Sequence, residues 1–110
     1  MLERAHERFP DYLFVNVSMA TTRITQDRPE EALQFLGLSL RIEDRFPDRK
    51  EFHIGEVEAY ENACIKYLII AKQLDRAQDR VEALRSVSDD TEWLDELEAG
   101  ITMGLVAKRY

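Results

Sequence analysis

The sequence predicts an all-α fold built from antiparallel helical hairpins, about six helices in a single domain over residues 1–110. Three observations carry that reading. Apolar residues recur at spacings of three and four along nearly the whole chain. No stretch alternates apolar and polar residues as a half-buried strand would. Turn-forming residues are scarce, 4 Gly and 3 Pro, so the many tight turns of an all-β fold lack their chemistry.

Leu2, Ala5 and Phe9 place a short helix at 2–9, closed by Pro10. A second helix covers 12–25, with Asp11 as its cap and Leu13, Val17, Ala20 and Ile24 on its apolar face. The third covers 28–44. Asp27 stands in its N-cap position, Pro29 in its first turn and Glu30 at capping-box spacing. Ala32, Leu33, Leu36 and Leu40 form its stripe, and it ends before Phe46-Pro47. Residues 48–51, Asp-Arg-Lys-Glu, read as a loop. The fourth helix covers 55–72, with Val57, Tyr60, Cys64, Tyr67, Leu68 and Ala71 inward; the fifth covers 75–86, with Ala77, Val81 and Leu84. Asp89 and Glu92 repeat the capping-box spacing ahead of a sixth helix at 91–108, striped by Leu94, Leu97, Ile101 and Leu105. Short connections imply antiparallel neighbours. The one long connection spans about 45–54.

Apolar residues at 45% and charged residues at 34% suit a soluble helical protein. The net charge of −7 disfavours nucleic acid or anionic lipid as a partner. Cys64 is the only cysteine, so no intrachain disulfide forms, and with His6 and His53 it falls short of the four ligands usual for structural zinc. The longest apolar stretch, 67–71, is too short for a bilayer, and the charged residues at 1–8 form no signal-peptide core. The expectation is a cytoplasmic protein that needs no metal or cofactor and binds neither nucleic acid nor membrane.

Nothing in the sequence assembles a catalytic set. Helical period turns Cys64 inward, where a thiol behaves as a small hydrophobe. Ser18, Ser39, Ser86 and Ser88 sit in no strand-turn-helix elbow. Glu30-Glu31 and Asp89-Asp90 fall near helix starts, where the helix dipole favours acids. Glu43-Asp44 falls at a helix end, where the dipole disfavours them. There is no Gly-rich phosphate loop. The basic cluster Arg41, Arg45, Arg49 and Lys50 is offset by Glu43, Asp44, Asp48 and Glu51, which reads as a solvated loop. His53 reads as a helix-start residue against Phe52.

Two hairpins share a template. From Ala20 to Ala32 is 12 residues, as is Ile65 to Ala77, and each junction alanine is followed four residues later by a large aliphatic, Leu36 or Val81. Arg-Phe-Pro-Asp occurs twice, at 8–11 and 45–48. On these residues the chain resembles the tetratricopeptide repeat family, whose repeat is a helix-turn-helix of about 34 residues. Asp27-Arg28-Pro29-Glu30-Glu31-Ala32-Leu33 resembles that family's junction, and Phe9-Pro10-Asp11 its passage between repeats. The positions of the family's early aromatic hold Asn16 and Glu61, those of its Gly hold Ala20 and Ile65, and those of its Tyr hold Arg23 and Leu68. The junction alanines are 45 residues apart, so the long connection reads as an insertion. Phe52-His53-Ile54-Gly55-Glu56 also resembles a segment of bacterial tetratricopeptide-like domains in larger proteins.

The resemblance implies a right-handed stacked array acting as a non-catalytic protein-interaction scaffold or adaptor. It implies a concave groove lined by Phe14, Val17, Thr21 and Ile24 from one hairpin and by Ala59, Asn62, Lys66 and Ile69 from the next. The alternative reading is an accessory or regulatory domain of a larger enzyme or regulator. The partner is expected to be a protein or peptide. A two-helix repeat must stack to bury its apolar face, and the chain starts on what reads as the second helix of a hairpin. That edge, and the glycine-bearing last helix with Ile101, Leu105 and Val106, are expected to associate with a second copy as a homodimer or with a docked partner.

Overall fold

The computed structural model describes residues 12–87 and 92–109, with side chains placed up to residue 103. The protein is all-α, with six helices and no strand among the described residues. They are α1 (Leu13–Thr25), α2 (Pro29–Leu36), the single turn α3 (Ile42–Arg45), α4 (Ile54–Ile70), α5 (Leu74–Arg85) and α6 (Glu92–Arg109). The expected helix at 2–9, the Asp11 cap and the Asp89 cap lie outside the described residues. No helix among the described residues is long and apolar enough to cross a membrane.

The chain divides into two units, Met1–Cys64 and Ile65–Tyr110, with the boundary falling inside α4. In the first unit α1 packs on α2, around Leu13, Ala20, Ala32 and Leu36, none more than 1% exposed. In the second, α5 packs on α6, around Ala77, Val81, Leu94 and Ile101, all fully buried. Arg85 of α5 holds the second pair together from its edge, meeting Asp95 at 2.6 Å and Glu98 at 3.2 Å on α6.

The turns ending α1 and α4 have the same construction. Asp27 takes φ +60°, its N–H bonds to the Ile24 carbonyl, and the Arg28 N–H reaches the Arg23 carbonyl at 2.8 Å. Lys72 takes φ +65°, its N–H bonds to Ile69, and the Gln73 N–H reaches Leu68 at 2.8 Å. Both are Schellman endings, in which a left-handed residue satisfies the last carbonyls of a helix. The next helix then starts from Arg28 or Gln73, and each of these pairs with the residue three further on, Glu31 or Arg76. Asp27 is therefore not an N-cap. The αL position that closes α1 consumes it, and Arg28 takes the cap position without a side-chain cap bond.

The expected helix over 28–44 is two helices. Gly37, at φ +89°, ends α2 at Leu36, and Leu40 turns the chain again at φ +57° while remaining only 2% exposed. Leu40 reaches the core from a left-handed turn, not from a helical stripe. The break also explains Glu43 and Asp44. They stand in the first turn of α3, favourable for acids, where Arg41 pairs with Glu43 at 2.7 Å.

Phe46, 5% exposed, begins the long connection and packs edge-on against Tyr60 and Phe52. Arg49 lies over the Phe52 ring and pairs with both carboxylate oxygens of Glu56, at 2.5 and 2.8 Å. Glu56 also accepts the His53 N–H at 3.0 Å, as the third helical residue of a capping box does. These contacts lower the Glu56 carboxyl to about 2, the Arg49 hydrogen bonds first among the causes.

Candidate functional site

The residues expected to line a groove divide between several settings. On α1, Phe14, Val17 and Thr21 fall at i, i+3 and i+7 and form one outer strip. Phe14 is 43% exposed; Val17 and Thr21 are half-buried. Ile24 adjoins the strip, seven residues on from Val17, but is buried with Leu13 and Ala20 where the face turns into the core. Asn62 lies on the first unit's part of α4, half-buried, and its Oδ1 is enclosed without a hydrogen-bond partner. Lys66, exposed, and Ile69, half-buried, lie on the second unit's part of α4, and Ala59 is half-buried on the first.

The expected edge on the last helix changes character. Ile101 is fully buried and is core rather than edge. Leu105 and Val106 lie on α6, but their side chains fall outside the described residues. The glycine at position 100 is not demanded by close approach, because a Cβ there would meet only the Ile69 Cδ1 at an ordinary 3.8 Å.

The strip on α1 has two further members, Ser18 and Thr25, at the same helical spacing. Its chemistry is unusual for this chain. Residues 12–22 form its longest run without a charged side chain, although 34% of all residues are charged. The hydroxyls of Thr21, Thr22 and Thr25 donate to the carbonyls four residues back, at 2.9, 2.9 and 3.0 Å. Threonines bonded in this way have spent their donor on their own helix. The edge of the Phe14 ring meets Tyr12, itself 54% exposed, at 6.0 Å.

Behind this face the helix is anchored by a polar pair. Asn16, fully buried, donates to the Tyr12 carbonyl and accepts from Arg45 at 3.0 Å. Arg45 also donates to the Phe35 carbonyl at 2.9 Å, at the end of α2, and covers the Phe46 ring. Helical period had assigned the inward position to Val17, yet Asn16 is the more deeply buried, because a guanidinium 29 residues away satisfies it.

The basic cluster does not assemble as a patch. Arg45 turns inward, Arg41 pairs with Glu43 and Asp44, and Arg49 pairs with Glu56. A depression of about 240 Å³ lined by Arg45, Phe46, Pro47, Asp48 and Arg49 remains between these pairings. His53 is exposed just ahead of α4, and its backbone N–H makes the hydrogen bond to Glu56. Cys64 is fully buried, as its period implies.

No family model, curated protein or solved structure matches the chain.

Proposed function

We propose that the protein is a non-catalytic interaction scaffold or adaptor of tetratricopeptide-like type, working in the cytoplasm, and that it meets a protein partner through the outer strip of α1. One observation carries this reading. The strip is partly apolar and uncharged, and its threonine donors are already bonded to the helix. Covering such a face removes apolar surface from water without stranding those hydroxyls, which avoids the usual cost of dehydrating polar groups. The matched endings of α1 and α4 support the repeat reading, since two hairpins built alike are what a repeat array requires.

The test is site-specific photo-crosslinking in the cells that make the protein. A photoreactive phenylalanine analogue in place of Phe14 is expected to give a discrete protein adduct. The same analogue at Glu30, exposed on α2, is expected to give none. Absence of any adduct at position 14 would overturn the proposal.

A further inference from the structure

The tetrapeptide Arg-Phe-Pro-Asp, which the sequence carries twice, forms most of the depression on the first unit. Its second copy supplies Arg45, Phe46, Pro47 and Asp48, and Arg49 completes the lining. The Arg49 N–H bonds to the Phe46 carbonyl at 3.1 Å, so Pro47 and Asp48 are the central residues of a turn. We propose that this depression binds a free α-amino acid, whose carboxylate meets Arg45 and whose ammonium group meets Asp48. The site is separate from the α1 strip and does not depend on it.

Two charges of opposite sign line the depression, and neither is neutralised. Arg45 bonds only to neutral acceptors, the Phe35 carbonyl through Nε and the Asn16 amide oxygen through Nη2. Those bonds, with the Phe46 ring centre 4.8 Å from the guanidinium carbon, fix the plane of the group and leave Nη1 for another acceptor. Asp48, exposed on the turn, makes no side-chain hydrogen bond or ion pair among the described residues, Arg45 included. Its carboxylate is therefore not spent on the turn's own backbone. Arg49, by contrast, is neutralised by Glu56. A ligand of single charge would satisfy one group and leave the other, whereas a zwitterion satisfies both. A peptide carries its ammonium and carboxylate at opposite ends; a free amino acid brings both into one small depression. The volume of about 240 Å³ lies below the ~300–1,000 Å³ of clefts that take drug-sized ligands, which suits a molecule of amino-acid size. Phe46 and Pro47 supply the apolar part of the lining.

Amide NMR of the isotope-labelled chain, titrated at constant ionic strength with L-alanine, L-leucine and L-glutamate, tests this. Saturable millimolar binding of at least one of the three is expected, with shifts centred on residues 45–49. The N-acetyl derivative and the amide of that same amino acid each lack one charge. Each is expected to bind about tenfold or more weakly than the parent. Asp48→Asn is expected to melt like the wild type, to weaken the amino acid by about tenfold or more, and to leave the N-acetyl derivative unchanged. No saturable shift from any of the three amino acids overturns the proposal. So does an N-acetyl derivative or an amide that binds as well as its parent, or an Asp48→Asn chain that binds the amino acid like the wild type. Crosslinking from position 14 reads the α1 strip separately, so failure here leaves that reading standing.

Discussion

The Tyr60 hydroxyl donates to the Leu36 carbonyl at 2.5 Å, and both residues are fully buried. The bond joins α4 to the last residue of α2, where Gly37 turns the chain away and leaves carbonyls with no partner in their own helix. Arg45 serves the neighbouring Phe35 carbonyl in the same way. Tyr60→Phe keeps the ring that packs on Phe46 and strands the Leu36 carbonyl in the core. The expected cost is about 1–3 kcal/mol, read as a lowered urea midpoint with an unchanged slope.

The matched turns make a prediction of opposite sign. Asp27 and Lys72 hold left-handed backbone with ordinary side chains, a conformation that suits glycine. Asp27→Gly and Lys72→Gly are each expected to stabilise by up to about 1 kcal/mol, once the flexibility glycine adds to the unfolded chain is set against the relieved strain. Two additive gains in denaturant melts would support equivalent turns. A loss at either position would contradict the shared construction.

Ala32 and Ala77 are fully buried where α2 and α5 pack in their own units. Replacing either with Leu overfills its site. The expected cost is about 1–3 kcal/mol, seen as a lower melting temperature in each variant. Wild-type melting in both would remove the hairpin template.

Glu56 predicts an acid limb to stability. Its carboxyl is lowered from 4.5 to about 2, chiefly by the Arg49 hydrogen bonds and then by the His53 N–H. A depressed native value stabilises fully above the unfolded value, and the contribution fades as pH falls from about 4.5 towards about 2. Glu56→Gln is therefore expected to be less stable than wild type at neutral pH, with the gap narrowing across that window. Urea midpoints against pH measure it, and a constant gap would contradict the assignment.

Much of this architecture is legible in the sequence because it depends on local periodicity. The spans of α1, α4, α5 and α6, the inward Cys64 and the buried junction alanines all follow from spacing alone. The break after Leu36 does not. A single glycine in a periodic run is compatible with a continuous helix, and the carbonyls that the break frees are taken up by the distant Tyr60 and Arg45. The inward turn of Arg45 is equally hidden, since its partners Asn16 and Phe35 are far away in sequence. At the candidate site the uncharged run at 12–22 was open to reading. Its meaning depends on the threonine hydroxyls folding back onto α1 and on Ile24 facing the core.

The claim that the outer strip of α1 is where this chain meets another protein molecule is tested most directly by a photo-crosslinking scan in the cells that make the protein. The account predicts protein adducts from a photoreactive residue at positions 14, 18, 21 and 25, and none from the exposed positions of Glu30 on α2 and Asp79 on α5. Adducts centred on another element, or none from the strip, would contradict it.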